Sequence, residues 1–281
     1  MRFKLTREKL ELGATFIFTK VNDVYIQEAK LIGTPHATLS AQGYSVALSG
    51  DGTTLFTGAP GESNLLGAIF IFQKKDSTWT QLQKLTPSNL FPFTIIQGIG
   101  SLIAVDQSGS NIIASTNGNR TVIVFSNEGS NGLWTPTAKL FPGNITSQNN
   151  EDFGNSNDDY FGASIRISAN GNAVAVGAPK YGNLTNTGAV FVFADESGTW
   201  NQVSSALFDP RHSDNIGKYM TMDAGGLTIV SSGLKASIQT FQGNFTPSVI
   251  SPTQSPVSSN SVNIVADLRF MVLFSFVFFF F

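Results

Sequence analysis

The stretch FGASIRISANGNAVAVGAPKYGNLTNTGAVFVF, Phe161 to Phe193, contains three short apolar runs separated by turns. Ser164 to Ile167 leads into Ser168-Ala169-Asn170-Gly171, where Asn-Gly predicts a tight hairpin because both residues tolerate positive φ. Ala173 to Val176 returns and stops at Gly177-Ala178-Pro179, since proline cannot donate to a continuing ladder. Gly188 to Phe193 is β-branched and aromatic, and Trp200 to Ala206 follows a turn at Glu196-Ser197-Gly198. Four strands joined by turns form one antiparallel unit, too small to bury its own faces.

The unit recurs. Gly43 to Pro60 repeats the hairpin and its Gly-Ala-Pro end, and Gly67 to Phe72 with Trp79 to Leu82 supplies strands three and four. Weaker copies start at Gly100, with Trp134 in the fourth strand, and at Gly217. The starts Gly43, Gly100, Gly162 and Gly217 are about 55 to 60 residues apart. Gly13 to Phe18 copies the third strand and Tyr25 to Leu31 the fourth, so a half unit precedes the others.

These repeats predict an all-β fold, a β-propeller of four-stranded antiparallel blades with about four blades visible. The expected organisation is an extension over 1–12 and a propeller over 13–243. Its units lie near 13–35 (partial), 43–90, 100–143, 161–210 and 217–241 (partial). A Pro/Ser/Thr stalk over 244–261 and a spacer with an apolar tail over 262–281 complete the chain.

Phe161-Gly162 with Gly177-Ala178-Pro179, and Gly58-Ala59-Pro60, resemble the FG-GAP repeats of the integrin α-subunit propeller. They resemble more closely the repeats of surface proteins in bacteria and protists. There an Asp-Gly or Asn-Gly hairpin precedes Gly-Ala-Pro and an aromatic strand precedes a tryptophan. The likeness covers about residues 13 to 241 and implies a seven-bladed propeller, often extracellular and engaged in adhesion, here as an incomplete ring or one truncated at its N-terminus.

Composition narrows the chemistry. Charged residues are 13% of the 281, the net charge is -2, and no basic stripe marks a nucleic-acid partner. Without cysteine there is no disulfide, thiolate metal site or cysteine nucleophile. Asp51 reads as a turn former, because the hairpins hold too few carboxylates for the six to eight oxygens calcium takes. The long loop over 143–160 offers Asp152 and Asp159 as weak metal candidates. His36, and His212 with Asp209 and Asp214, have no metal- or catalysis-like setting. There is no Gly-x-Ser-x-Gly elbow and no phosphate loop, and no cofactor is expected. Trp79, Trp134 and Trp200 recur at one position, which favours packing between units over a ligand platform.

Small residues at Ser258 to Ser261, an eight-residue spacer and a twelve-residue apolar tail match a glycosylphosphatidylinositol signal, with Ser259 as attachment residue. Twelve residues are too few to span about 30 Å of hydrocarbon, and the alternatives to the lipid anchor are a short apolar membrane anchor and a non-native end. Asn119, Asn144, Asn183 and Asn244 head glycosylation sequons. These features lead to the expectation of a non-enzymatic cell-surface binding or adhesion module, tethered to the membrane, with an extracellular protein or glycan as ligand. The alternatives are a glycan-active propeller hydrolase or lyase, and a structural coat component.

Overall fold

The computed structural model describes residues 13–35, 37, 39–86, 97–116, 121–127, 132–142, 160–181, 187–204, 206–207, 215–233 and 238–242. The fold is all-β. Strands β1 (Thr15–Val21) and β2 (Val24–Leu31) form a two-stranded sheet. Unit one is β3 (Ser45–Leu48), β4 (Thr54–Ala59), β5 (Ala68–Lys75) and β6 (Thr78–Leu85). Unit two is β7 (Ile103–Val105), β8 (Asn111–Ser115), β9 (Val122–Ser126) and β10 (Thr135–Leu140). Unit three is β11 (Ser164–Ile167), β12 (Ala173–Ala178), β13 (Ala189–Glu196) and β14 (Thr199–Gln202). Unit four shows β15 (Tyr219–Met222), β16 (Thr228–Ser232) and β17 (Ile238–Gln242). Within every unit, strands adjacent in sequence pair antiparallel.

Successive sheets pack face to face. Alternation along each strand puts apolar side chains on both faces of the middle strands, so β12 is buried along its whole length. Phe56, Ile69 and Ile71 of unit one meet Ile112, Ile123 and Phe125 of unit two. Ile113, Val122 and Val124 of unit two meet Ile165, Val174 and Val176 of unit three. Val190 and Val192 then meet Met220 and Ile229 of unit four, while β1 and β2 lay Ile17, Ala29 and Leu31 on Phe70 and Phe72. The three tryptophans lie in these packed layers: Trp134 is 5% exposed, and Trp79 and Trp200 pack at the margins of their clusters.

The four start glycines share one conformation, with φ of 89°, 87°, 91° and 90° at Gly43, Gly100, Gly162 and Gly217, a region that glycine enters without steric cost. The residue before each, Gln42, Ile99, Phe161 or Ile216, is buried as a plug between sheets. At three of these places the plug pairs parallel with the glycine that opens strand three of the preceding unit: Gln42 with Gly13, Ile99 with Gly67, and Ile216 with Gly188. Unit two has Thr121 where the others have this glycine, and no such bridge occurs there among the described residues.

The glycine of Gly-Ala-Pro has a spatial reason. A Cβ on Gly58 would lie 1.9 Å from the Gly100 carbonyl oxygen, and one on Gly177 would lie 2.0 Å from that of Gly217. Those carbonyls accept hydrogen bonds of 2.6 Å from the Ser45 and Ser164 hydroxyls. In unit two the pair is exchanged: Leu102 takes the serine place and Ser115 the glycine place, with the Leu102 N–H donating to the Ser115 hydroxyl at 3.1 Å. A Cβ on the following Gly162 would lie 3.3 Å from the Ser115 Cβ, an approach side chain to side chain rather than backbone to backbone.

The hairpin expected through Ser168-Ala169-Asn170-Gly171 is present, joining β11 to β12. Five residues, Ser168 to Asn172, separate β11 from β12, and only Gly171 is left-handed, at φ 79°. The Ser168 hydroxyl donates to Asn170 Oδ1 at 2.6 Å and accepts from the Ala173 N–H at 2.9 Å. This side-chain scaffold favours the longer loop. Ser49 and Asp51 build the same turn in unit one.

Equivalent hairpin residues are joined across units. The Gly50 N–H donates to the Gln107 carbonyl (2.9 Å), Gln107 to Ala169 (3.0 Å), and Ala169 to Ala224 (2.9 Å). This ladder joins the first hairpins of all four units in sequence order.

A buried ion pair closes the loop before unit one. Glu62 and Lys84 meet at 2.9 Å with side chains 3% and 16% exposed. Both Glu62 oxygens accept from the Ala37 N–H, and Lys84 also donates to the Pro35 carbonyl at 2.7 Å. Burial pushes the Glu62 carboxyl up, but the Ala37 N–H and the Lys84 ammonium outweigh it and hold it below its ordinary 4.5. A depressed folded pKa contributes stability that is complete above 4.5 and lost as pH falls through the folded value. Urea midpoints of the wild type and Glu62→Gln therefore converge as pH drops from 7 toward 4; a constant gap would contradict this role. Among the described residues no helix is long and apolar enough to cross a membrane.

Candidate functional site

The ends of the strands opposite the hairpins carry the start glycines and the segments after Gly-Ala-Pro. Between units three and four, hydrogen bonds brace these connections. Asn215 Nδ2 donates to the Pro179 carbonyl at 2.9 Å, tying the entry to unit four onto the end of β12. The Tyr181 carbonyl accepts from the Gly188 N–H (3.0 Å) and the Thr187 hydroxyl (3.2 Å), and the Tyr181 ring meets Phe191 edge-on at 5.2 Å. On this braced frame Lys180 Nζ stands 4.2 Å from the Tyr160 ring centre, and Lys218 Nζ stands 5.3 Å from that of Tyr219. Tyr160 and Tyr219 are 55% and 59% exposed.

Arg166 is on β11, on the strand face directed toward unit four, its guanidinium donating to the Ile165 carbonyl at 2.7 Å. Neither lysine nor Arg166 forms an ion pair with a carboxylate among the described residues, whereas Lys20, Lys74 and Lys84 each have one. Open cations beside exposed aromatic faces suit a ligand that has both a negative group and a ring to stack.

The described carboxylates of the hairpins serve the turns at the far ends of the strands. Asp51 is held below the ordinary carboxylate range first by the Ser49 hydroxyl and then by the Thr53 N–H and hydroxyl. Asp106 accepts from Ser108 and Asn111, and Asp223 from the Thr228 N–H. Among the described residues, then, the lysine end provides binding groups and no acid–base pair.

Every site residue expected from the sequence, Asp152, Asp159, Ser259, Asn119, Asn144, Asn183 and Asn244, lies outside the described residues, as do His36, Asp209, His212 and Asp214. Sequence reasoning missed Lys180, Lys218, Tyr160 and Tyr219. Their signal was available as a deviation within the repeat: Lys180 follows Gly-Ala-Pro where Gly61 stands in unit one, and Lys218-Tyr219 follows a start glycine.

No protein-family profile matches the sequence, and no curated protein matches it. Solved structures of similar fold do. One from Bacteroides uniformis, provisionally assigned as a 6-phosphogluconolactonase, aligns at TM-score 0.54 and 14% identity over 83% of this chain and 61% of its own. A Bacteroides fragilis protein with the same provisional assignment aligns at 0.53 and 14%, over 82% and 60%. The β-propeller domain of Cps50 (Swd1) from Myceliophteria thermophila aligns at 0.53 and 13%, over 87% and 64%. The present chain thus spans about three-fifths of the length of these structures, and its multi-sheet β fold resembles theirs.

These matches correct the expectation of a non-enzymatic, integrin-like adhesion module. Its support was architecture together with the C-terminal anchor signal, and the architecture recurs in two proteins assigned to a hydrolase activity. Shared strand order is set by core packing and is indifferent to adhesion. The adhesion and integrin reading and the expectation of no enzymatic activity are withdrawn; the C-terminal anchor signal lies outside the described residues.

Proposed function

We propose that the sheets are blades of an FG-GAP-type β-propeller and that this propeller is a hydrolase. Its substrate is a small anionic carbohydrate ester, of the class of phosphorylated sugar lactones. Water adds to the lactone carbonyl, the ring C–O bond breaks, and a hydroxy acid leaves. The observation that carries the reading is the fold shared with two provisionally assigned 6-phosphogluconolactonases. The lysine end supports it: Lys180 and Lys218 match an anionic group, and Tyr160 and Tyr219 offer stacking faces. Because the chain spans about three-fifths of those structures, the activity is proposed for the propeller as a whole.

Proton release on adding 6-phosphogluconolactone to the purified chain tests this. Hydrolysis above the spontaneous rate is expected. Removing one charge-assisted contact of about 1.5–3 kcal/mol lowers kcat/KM by about 10- to 100-fold in Lys180→Ala or Lys218→Ala. Wild-type kinetics in both variants would move the substrate elsewhere, and no acceleration across a panel of sugar lactones would end the hydrolase reading.

A further inference from the structure

We infer that Arg166 and Lys218 bind the phosphate group of the substrate in the seam between β11 of unit three and β15 of unit four, the arginine making the two-pronged contact. The inference rests on the proposed function and assigns its anionic subsite. The Ser164 hydroxyl donates to the Gly217 carbonyl at 2.6 Å, so β11 and the segment entering β15 touch at this point. Arg166 is two residues beyond Ser164 on the same strand face, about 7 Å along β11. Lys218 directly follows Gly217. One short hydrogen bond therefore puts the two cations on the two walls of one seam. The first strand of its sheet is β11, and the Ser168 N–H to Ala173 carbonyl bond sets its even-numbered residues as those that bond β12. The Ile165 carbonyl that accepts from Arg166 is then on the open edge of β11, and the guanidinium lies along that edge.

Arg166 departs from the repeat. Its counterparts in the first strands of the other units are Ala47, Ala104 and Thr221. The two alanines pack into the apolar clusters between sheets, whereas Arg166 is exposed and brings a charge to the same place. A guanidinium has five N–H donors in a planar fork, and this one makes a single hydrogen bond and no ion pair among the described residues. The protein around it withdraws water and lowers its pKa, a cost that an anion in the seam offsets. Two parallel donors fit two oxygens of a phosphate, and the Lys218 ammonium adds a compact charge from the opposite wall.

Equilibrium binding of inorganic phosphate and of 6-phosphogluconate, the product of the proposed reaction, tests the site without turnover. Gluconate, which lacks the phosphate, is the control. The unaltered chain is expected to bind both phosphates, and 6-phosphogluconate more tightly than gluconate. Arg166→Gln should weaken both phosphate ligands about 10- to 100-fold, the effect of one charge-assisted contact, and leave gluconate unchanged. Arg166→Lys, which keeps the charge and loses the fork, should recover only part of this loss. Lys75→Gln removes one charge from an exposed residue of β5 and should bind as the wild type does. Phosphate binding that needs Arg166, in a chain that hydrolyses no lactone, would keep this site and end the hydrolase reading. Lactone hydrolysis with an unaltered KM in Arg166→Gln would do the reverse. Equal weakening by Arg166→Gln and Lys75→Gln would reduce the effect to overall charge and overturn the proposal, as would the absence of phosphate binding.

Discussion

Trp134→Ala lowers the free energy of unfolding by about 4 kcal/mol, within the range for deleting a buried large aromatic. The indole lies between units one and two, edge-on to Phe56 at 5.4 Å, and Nε1 donates to the Gly109 carbonyl at 3.1 Å. Its backbone is clamped as well: the Trp134 N–H donates to Gln83 Oε1, and Gln83 Nε2 returns to the Trp134 carbonyl, both at 2.9 Å. Truncation leaves a cavity against Ile71, Ile112 and Phe125 and a buried carbonyl without its donor. Urea denaturation checks it: the midpoint falls while the slope is kept if the units unfold together. Trp134→Phe keeps a ring against Phe56 but loses the hydrogen bond, so its loss is smaller, about 1–2 kcal/mol. Equal losses in the two variants would mean that the indole N–H, and not packing, carries the effect. Trp79→Ala, at a half-buried ring with an Nε1 bond to Glu28 of 3.0 Å, is the milder comparison.

Gly177→Ala costs about 3 kcal/mol, the upper part of the usual range for forcing a methyl into a filled space. The new Cβ would meet the Gly217 carbonyl at 2.0 Å and the Ser164 hydroxyl at 2.4 Å. Neither yields cheaply: one is backbone, and the other is bonded to that same carbonyl. Relief requires unit four to move away from unit three, breaking the Gly188–Ile216 bridge and opening Met220 and Ile229 to water. Hydrogen exchange should therefore lose protection in β15 and β16 before β11 to β13. Ser115→Ala, at the corresponding place in unit two, removes only the hydroxyl that accepts the Leu102 N–H, about 1 kcal/mol. Uniform loss of protection, or a stability equal to wild type, would refute the account of the Gly-Ala-Pro glycine.

The strands were legible because their signals are local. Gly188 to Phe193 reads as a strand from β-branched and aromatic residues alone, and Gly177-Ala178-Pro179 as its predecessor's end from proline chemistry alone. The weak repeat at Gly100 was legible as a strand pattern too, although the reason it tolerates losing its glycine was not. That reason is the Leu102 and Ser115 exchange, which depends on how near the next unit's backbone comes. The hairpin was legible from Asn170-Gly171, but the Ser168 hydroxyl that braces Asn170 and gives the loop its shape became visible only in the structure. The lysine end was missed because the segments that carry Lys180 and Lys218 are tied by the Asn215 to Pro179 bond, across 36 positions of chain.

Taken alone, the amino-acid order determined that this is an all-β protein of repeated antiparallel units with defined starts and turns, because period-two apolarity and the φ demands of glycine act within a few residues. Tertiary structure alone decided which glycines make room for a neighbouring backbone, how the hairpins ladder from unit to unit, and where unpaired cations meet exposed rings. Those outcomes depend on contacts between residues some fifty positions apart, as between Ser45 and Gly100, and chain-local preferences have no information about such distances.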